Sequence, residues 1–209
     1  MMDEKNTDNL KRKRLLECAK KEFLENGFAK ASLRKIAAEA EMTTGAVYFF
    51  FKDKDGLLGG VIGEALGQLM AVIKQHFAED NEADLAAYVR QDGDHAELAK
   101  QIVDLIYDNY DEMTILLYKS HGSKYEGFVD ELINMLDESS AELAQRYAQM
   151  FPNKRVNRQM LHWLTHVEIN AYIHMMQHEK SREDAMRFIM PVMDYIIKGW
   201  LEYSLEDDI

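Results

Sequence analysis

The chain has 209 residues, a formal net charge of −12 at pH 7, 47% hydrophobic residues and a single cysteine, Cys18. A single cysteine excludes an internal disulfide bond and fits a reducing compartment. Only 2 prolines and 11 glycines occur among abundant helix formers, so we predict an all-α fold. Neither a signal peptide nor an uncharged apolar run of ~18 residues is found, which predicts a soluble, cytoplasmic protein without a membrane partner.

The charge is distributed unevenly along the chain. Residues 1–60 hold 12 Lys and Arg against 10 Asp and Glu, whereas the other 149 residues hold 13 against 27. Lys11–Arg14 form a basic run, which is either a solvated helix end or an arm that contacts phosphates or the minor groove of DNA. The acidic remainder would repel DNA and confine any binding to the N-terminal segment.

The N-terminal segment reads as a first helix over residues 10–26, followed by two short helices and a turn between them. Gly27 is expected to end the first helix as a left-handed cap residue. In the next helix, small and apolar side chains share one face at Ile36, Ala37 and Ala40. Residues 41–43 form the break, and the hydroxyl of Thr43 or Thr44 can cap the helix that follows.

The second short helix, over residues 45–51, has an unusual outward face. Val47 and either Phe50 or Phe51 turn inward, which leaves hydroxyls, small residues and aromatic rings outside. These outward residues are Thr44, Gly45, Ala46, Tyr48 and Phe49. Such a face suits a helix that enters the major groove of DNA closely, so the pattern predicts a helix-turn-helix and double-stranded DNA as a partner.

The run from Met42 to Leu58 resembles the N-terminal DNA-binding domain of the tetracycline repressor family of bacterial transcriptional regulators. It carries that family's order of Thr, Gly, a branched aliphatic residue, Tyr, an aromatic cluster, a charged linker, Lys and a Leu pair. The resemblance covers roughly residues 11–62, with Ala19, Phe23, Gly27 and Phe28 upstream. Three consecutive Phe residues and Gly56 depart from the usual pattern without disturbing its defining positions.

The resemblance implies two domains, a helix-turn-helix DNA-binding domain over residues 1–55 and a larger helical effector-binding and dimerisation domain over residues 56–209. The expected function is a ligand-responsive regulator, most often a repressor that binds a palindromic operator as a homodimer and is released by a small-molecule effector. An effector-independent or activating DNA-binding protein remains an alternative. No phosphate-cradling glycine loop, nucleophile elbow or paired metal motif is present, so an enzyme is not expected.

Residue chemistry and the resemblance together predict the DNA contacts. We expect Arg34 to reach a guanine edge or a phosphate. Thr43 and Lys54 are expected to hold phosphates, Lys54 together with the N-terminus of the fourth helix. The groove itself is expected to face Thr44, Gly45, Ala46, Tyr48 and Phe49.

The fourth helix, predicted over residues 54–77, is rich in glycine. Glycine inside a helix costs ~0.5–1 kcal/mol relative to alanine, so the five glycines need a reason. They are Gly56, Gly59, Gly60, Gly63 and Gly67. Close packing against the first helix is the favoured explanation. The alternative is a softened joint, because in the resembled family this helix links the effector pocket to the DNA-binding head.

Further helices are predicted over residues 96–110, 112–120, 126–150, 157–179 and 182–204, with Ser181 as an N-cap and a turn at Asp92–Asp94. In the resembled family the last two helices form a four-helix dimer interface. The last helix carries a broad apolar stripe that fits this role. Its residues are Ala185, Phe188, Ile189, Val192, Met193, Ile196, Ile197 and Trp200.

The penultimate helix holds the clearest hints of a ligand. Glu168 lies within its apolar arc, where a carboxylate is costly unless it is paired or binds a cation. The full set of candidate effector-binding residues is Tyr107, Tyr110, Tyr118, His121, Tyr125, Phe128, Trp163, His166 and Glu168. Packing in the core is the competing explanation for most of them.

Two histidine pairs on the same helix have i, i+4 spacing, His162 with His166 and His174 with His178. This spacing can hold a metal ion, and a metal-responsive regulator is a further alternative. Solvated or interface histidines are favoured, because one cysteine and no second ligand cluster accompany them. We therefore expect neither a metal nor a cofactor.

Overall fold

The computed structural model describes residues 2–82 and 95–208, with side chains over residues 6–79 and 96–208. The turn predicted at Asp92–Asp94 lies outside the described residues. Nearly all of the described chain is helical, which confirms the all-α fold. The helices are α1 (Met2–Lys30), α2 (Leu33–Glu39), α3 (Thr44–Phe51), α4 (Lys54–Glu82), α5 (His95–Asp108), α6 (Tyr110–Thr114), a π-helical turn (Ile115–Lys119), α7 (Phe128–Ala148), α8 (Arg158–His178) and α9 (Arg182–Tyr203).

The chain divides into two compact units. Unit 1 contains residues 1–68 and 109–128, and unit 2 contains residues 69–108 and 129–209. Helix α4 belongs to unit 1 up to Gln68 and to unit 2 from Leu69 onward. The predicted functional boundary between residues 55 and 56 stays a prediction.

The core of unit 1 follows the helical periodicity of its sequence. Ile36, Ala37 and Ala40 are buried on the predicted face of α2, and Val47 and Phe51 turn inward from α3. They meet side chains of α1 and α4, namely Leu15, Ala19, Phe23, Leu57, Leu58 and Ile62. Burying each large side chain contributes about 1.5–3 kcal/mol, so this small head depends on few residues.

Helix α1 breaks where the sequence predicts its end. Gly27 has a φ of 70°, a conformation that glycine adopts without the steric cost of a Cβ atom. One further helical turn then continues to Lys30. A Cβ atom at Gly27 would lie 3.6 Å from the carbonyl oxygen of Lys119, which is an ordinary van der Waals contact, so the positive φ and not crowding favours glycine here.

In unit 2, α9 packs against both α8 and α5. Ser181 caps α9 as predicted, because its hydroxyl accepts a hydrogen bond from the Asp184 N–H at 3.1 Å. Arg182 binds Asp104 at 3.1 Å and Asp108 at 2.5 Å, which ties the first turn of α9 to α5. The buried side chains of α8 and α9 include Leu164, Met175, Ala185, Ile189, Met193 and Ile196, and Leu161 packs against Ala141 and Ala144 of α7.

The predicted interface stripe on α9 needs a correction. Ile189 and Met193 are buried within the chain, so they are core residues and cannot meet a second copy. The accessible row on α9 is instead the half-buried Phe188 and Val192 together with Tyr195, which is 58% exposed. The sequence stripe merged two adjoining faces, because α9 is apolar over more of its circumference than one contact requires.

A short antiparallel strand pair is the one described departure from a helical fold. Strand β1 (Lys154–Val156) pairs with β2 (Leu205–Asp207). Opposite charges face each other across the pair, with Lys154 bound to Asp207 at 2.7 Å and Arg155 to Glu206 at 2.9 Å. Strands of three residues are too short to show an alternating pattern, so they were not predicted from the sequence.

Helix α4 is apolar over most of its length. Over Lys54–Glu79, this helix is long and apolar enough by composition to cross a membrane. Its residues Leu57, Leu58 and Ile62 are nevertheless buried in the core of unit 1. A core helix of a folded domain has the same composition, and this burial accounts for the apolar residues of α4 up to Ile62.

The glycines of α4 fall into two groups. An alanine Cβ atom at Gly56 would lie 1.9 Å from the Phe51 carbonyl oxygen, and at Gly59 2.4 Å from the Tyr125 hydroxyl. At Gly60 it would meet Leu16 at 2.8 Å. Close packing therefore explains these three glycines. At Gly63 and Gly67, by contrast, no described atom would lie within 4 Å of the added carbon.

Candidate nucleic-acid interface and effector site

The turn between α2 and α3 is closed by backbone hydrogen bonds. Glu41 has a φ of 57°, and the Met42 N–H donates to the Ala37 carbonyl oxygen at 2.8 Å. This is the Schellman arrangement, which normally places glycine where Glu41 stands. Arg14 of α1 binds the Glu41 carboxylate at 2.7 Å and so holds the strained residue in place.

Helix α2 is anchored to α1 through a buried carboxylate that sequence analysis missed. Glu22 accepts hydrogen bonds from the Ser32 N–H at 3.1 Å and from the Lys35 ammonium at 2.6 Å. Burial alone would raise the pKa of Glu22, but these hydrogen bonds outweigh it and hold the pKa below its ordinary value. The anchor occupies Lys35 and leaves its neighbour Arg34 exposed to solvent.

Helix α3 presents its predicted outward face to solvent. Tyr48 is 53% exposed and Phe49 is 75% exposed, and Gly45 between them and the turn is exposed as well. Thr44 and Ala46 are half-buried. Thr43 is the N-cap residue, but within the described head its hydroxyl makes no capping hydrogen bond, contrary to the predicted cap.

Lys54 lies at the start of α4 in a less open position than the sequence implied. Its ammonium is 4.7 Å from the centroid of the Phe28 ring and donates to the Ala29 carbonyl oxygen at 3.4 Å. Burial lowers the pKa of Lys54. Asp53 caps the same helix end by accepting a hydrogen bond from the Gly56 N–H at 2.7 Å. A phosphate contact by Lys54 stays a prediction, and the neighbouring Lys52 is the more exposed cation.

Residues 109–128 pack on α1 within unit 1, and this packing was not predicted from the sequence. Glu112 binds Lys20 at 3.1 Å, and the Lys124 N–H donates to the Asp55 carboxylate at 2.8 Å. The hydroxyl of Tyr125 occupies the space that a side chain at Gly59 would need. This segment therefore touches both α1 and the first turns of α4.

Residues 15–61 match the sequence profile of bacterial regulatory proteins of the tetR family, and they include every element of the exposed helix-turn-helix. These residues therefore form a DNA-binding domain of the tetR-family type. Members of this family are DNA-binding regulators of transcription and not enzymes, as the sequence predicted. Over 54 residues, the chain is also 41% identical to the HTH-type transcriptional repressor BepR of Brucella suis biovar 1 (strain 1330). That match spans 26% of each chain.

Solved structures extend the similarity in fold to most of the chain. A transcriptional regulator from Aquifex aeolicus VF5 is similar with a TM-score of 0.61 and 16% identity, over 89% of this chain and 99% of that one. NalD of Pseudomonas aeruginosa, the secondary repressor of the MexAB-OprM multidrug efflux pump, is similar with a TM-score of 0.60 and 20% identity. That likeness covers 93% of this chain and 97% of NalD. At such identities the likeness establishes the fold alone.

The candidate effector residues are divided between the two units. Unit 1 contains Tyr110, Tyr118, His121, Tyr125 and Phe128, and unit 2 contains Tyr107, Trp163, His166 and Glu168. Some have contacts that suggest structural roles. Tyr107 donates to the Glu179 carbonyl oxygen at 3.0 Å, Phe128 is buried, and the exposed His121 binds the carboxylate of Glu126.

Glu168 has the most perturbed environment of the candidates in unit 2. The residue keeps part of its surface in solvent and is half-buried, yet the protein surrounding its carboxyl group raises its pKa by burial from an ordinary value of 4.5 to about 7. Burial also raises the pKa of Tyr172, one helical turn further along α8, and the charge of Glu168 adds to the effect. The Tyr172 hydroxyl contacts the sulfur of Met193 at 3.7 Å. A carboxyl group in apolar surroundings, beside an aromatic ring and a methionine, is suited to an apolar ligand that carries a cation or a hydrogen-bond donor.

The two histidine pairs of α8 differ in geometry. The Nε2 atoms of His162 and His166 are 3.2 Å apart, and the Nδ1 atom of His162 binds the carboxylate of Asp137 on α7. The rings of His174 and His178 instead lie over each other, with centroids 4.2 Å apart, and His174 also contacts Phe188. Sequence spacing identifies both pairs, but it has no signal for Asp137, which lies on another helix.

Proposed function

We propose that this protein is a repressor of the tetR family that binds a palindromic operator as a homodimer and leaves it when a small molecule binds. The exposed face of α3 is the observation that carries the proposal. This helix of eight residues exposes the rings of Tyr48 and Phe49 to water beside Gly45. Exposing adjacent apolar rings is unfavourable unless a binding partner covers them. In a major groove, the glycine permits close approach and the rings contact sugars and base methyl groups.

Different side chains near α3 can contact the bases and the sugar-phosphate backbone of DNA. The exposed Arg34 has a guanidinium that can form a bidentate pair with guanine or bind a phosphate. Thr43, Lys52 and Lys54 lie at the two ends of α3 and can contact the sugar-phosphate backbone. Two such heads in a symmetric dimer would read half-sites ~34–36 Å apart, which makes the operator a palindrome.

Two substitutions should separate base reading from backbone binding. An operator is first selected with the purified protein from random duplex DNA, and dissociation constants are then measured by fluorescence anisotropy for this operator and a scrambled duplex. Arg34→Ala should lower the ratio of the two affinities about 5- to 150-fold, because it removes a base contact worth ~1–3 kcal/mol. Lys54→Ala should weaken both affinities alike and reduce the salt slope by about one.

Arg187→Ala is the matched control, because this exposed arginine lies on α9 and is bound to Asp184. It should leave both affinities unchanged. The unfolding temperature of each variant is needed as well, since Lys54 also covers the Phe28 ring. Unchanged operator binding by Arg34→Ala and Lys54→Ala alike would contradict the proposed interface.

For the homodimer we propose a face formed by α8 and α9. The contact between His174 and Phe188, with ring centroids 5.4 Å apart, joins the outward residues of the two helices. Beside it lie Val192, Tyr195 and, at the other end of α8, Trp163, which is 51% exposed. An aromatic and aliphatic face of this kind is typical of interfaces between protein copies.

Replacing Trp163 and Tyr195 together with Glu should give a folded monomer that binds operator poorly. Four like charges would face one another across the symmetric interface, while the buried core of unit 2 keeps all its residues. Light scattering measures the molecular mass. Tyr203→Glu is the matched control, because Tyr203 is exposed to a similar degree (53%) but lies at the last residue of α9. A dimer that survives the double substitution would move the interface elsewhere.

For the effector we propose an apolar cation or a ligand with a hydrogen-bond donor, bound near Glu168. Within residues 6–79 and 96–208, no hydrogen-bond partner accompanies this carboxyl group, whose pKa is about 7. A bound cation would stabilise its ionised form.

A further inference from the structure

We propose that His162 and His166 form a binding site for a late first-row divalent metal ion, with Asp137 orienting His162. The site lies between α7 and α8 in unit 2. It goes beyond the proposed repressor function, because neither DNA binding nor an effector at Glu168 requires it.

The distance between the two nitrogen atoms is the first argument. His162 Nε2 and His166 Nε2 are 3.2 Å apart. Two nitrogen ligands at ~2.0–2.1 Å from a tetrahedral ion are roughly 3.3 Å from each other. A metal ion would therefore fit between the rings with little movement of either side chain. Bound there, it would accept both lone pairs in place of the single proton that now joins the two nitrogen atoms.

The carboxylate of Asp137 provides the second argument. Because a carboxylate only accepts hydrogen bonds, its contact with His162 fixes the proton on Nδ1 and leaves the Nε2 lone pair pointing at His166. A carboxylate bound to the distal nitrogen of a ligating histidine is the usual support of protein metal sites. The other oxygen of Asp137 is buried and has no hydrogen-bond partner among the described residues, so added positive charge nearby would be favourable.

Access and ligand number define the type of site. His162 is exposed and His166 is half-buried, so a hydrated ion can reach the nitrogens directly from solvent. Among the described residues, no group of three or more His, Cys, Asp and Glu side chains is arranged to hold a metal, and water would complete the coordination. Two imidazoles favour Cu²⁺, Ni²⁺ or Zn²⁺ over Mg²⁺ or Ca²⁺, which prefer oxygen ligands.

The test is isothermal titration of the full chain, free of any affinity tag, with Zn²⁺ and with Ni²⁺. We expect one ion to bind per chain, and Mg²⁺ to give no heat under the same conditions. His162→Ala and His166→Ala should each weaken binding at least tenfold. Asp137→Asn should weaken it about 10- to 100-fold through the loss of orientation.

The second histidine pair of α8 is the matched control. His174→Ala combined with His178→Ala removes an i, i+4 pair of the same helix whose rings lie over each other. This variant should bind Zn²⁺ like the parent protein. Circular dichroism verifies that each variant stays folded, which is expected since His162 is exposed and His166 is half-buried. Absence of Zn²⁺ and Ni²⁺ binding to the parent, or an equal loss in the control variant, would overturn the proposal.

Discussion

Gly56→Ala should destabilise the DNA-binding head by several kcal/mol and abolish operator binding at ordinary protein concentrations. The added Cβ atom would lie 1.9 Å from the Phe51 carbonyl oxygen and 3.1 Å from its carbonyl carbon. Because both are backbone atoms, no side chain can rotate away, and the link between α3 and α4 must move. Losses above ~4 kcal/mol are exceptional for single substitutions and arise from this kind of forced backbone shift. Denaturant unfolding and operator binding by anisotropy measure the two effects.

Gly63→Ala and Gly67→Ala are the matched controls on the same helix. Both positions are exposed, and no described atom would lie within 4 Å of the new methyl group. Each substitution should stabilise α4 by ~0.5–1 kcal/mol, because alanine loses less conformational entropy in a helix than glycine does. Destabilisation by either control, or a normally stable Gly56→Ala protein, would contradict the packing explanation.

The same two controls address the softened joint that the sequence left open. Gly63 and Gly67 are the α4 glycines without a described packing contact, so a role in flexibility falls to them alone. A double Gly63→Ala and Gly67→Ala protein that is more stable and still releases DNA with effector would remove that idea. A double-substituted protein that binds effector normally but releases less DNA would support the flexible joint. An effector can lower DNA affinity only if it binds better to a dimer whose heads are spaced unsuitably for the operator.

Local sequence patterns were sufficient to predict the helix-turn-helix. The determinants that the sequence revealed act within about five residues, as with the turn that the Ala37 carbonyl closes or the break at Gly27, whereas the longer-range anchors Glu22 and Arg14 were missed. The outward positions of Tyr48 and Phe49 follow from a single helical turn whose other side holds Val47 and Phe51. Helix periodicity and capping are encoded in neighbouring residues, so they are legible without a structure.

Features that join distant segments could not be predicted in the same way. Asp137 supports His162 from a helix 25 residues earlier, and Lys124 binds Asp55 across 69 residues. The interpretation of the whole α9 stripe as a dimer interface was wrong for a related reason. Periodicity shows which residues are apolar but not which neighbour buries each of them. Ile189 faces the core of its own chain, whereas Tyr195, two turns later, does not.

Glu168→Gln should remove a pH dependence from the stability of unit 2. Burial raises the pKa of Glu168 from 4.5 to about 7, so between these pH values the folded chain keeps a proton that the unfolded chain loses. Stability therefore falls as the pH rises from about 4.5 to about 7 and is constant above that range. The total loss is on the order of 3 kcal/mol, because each pKa unit corresponds to about 1.4 kcal/mol. Because glutamine stays neutral, the variant should equal the parent near pH 4.5 and exceed its unfolding free energy at pH 8.

Denaturant unfolding at four pH values between 4.5 and 8 measures this difference, with the exposed Glu142→Gln on α7 as the matched control. A parallel pH profile for parent and Glu168→Gln would show that the carboxyl ionises as freely in the fold as in the unfolded chain.

The same two variants, Glu168→Gln and Glu142→Gln, test the proposed effector class. Apolar amines should stabilise the parent more than their neutral isosteres do, because the amine pairs with the ionised Glu168 and the isostere leaves it unpaired. Glu168→Gln should lose that preference while Glu142→Gln keeps it. If amines and their neutral isosteres stabilise the parent equally, the proposal of a cationic effector at Glu168 is wrong. The pH profile is a separate measurement, and it decides independently whether the carboxyl group is buried.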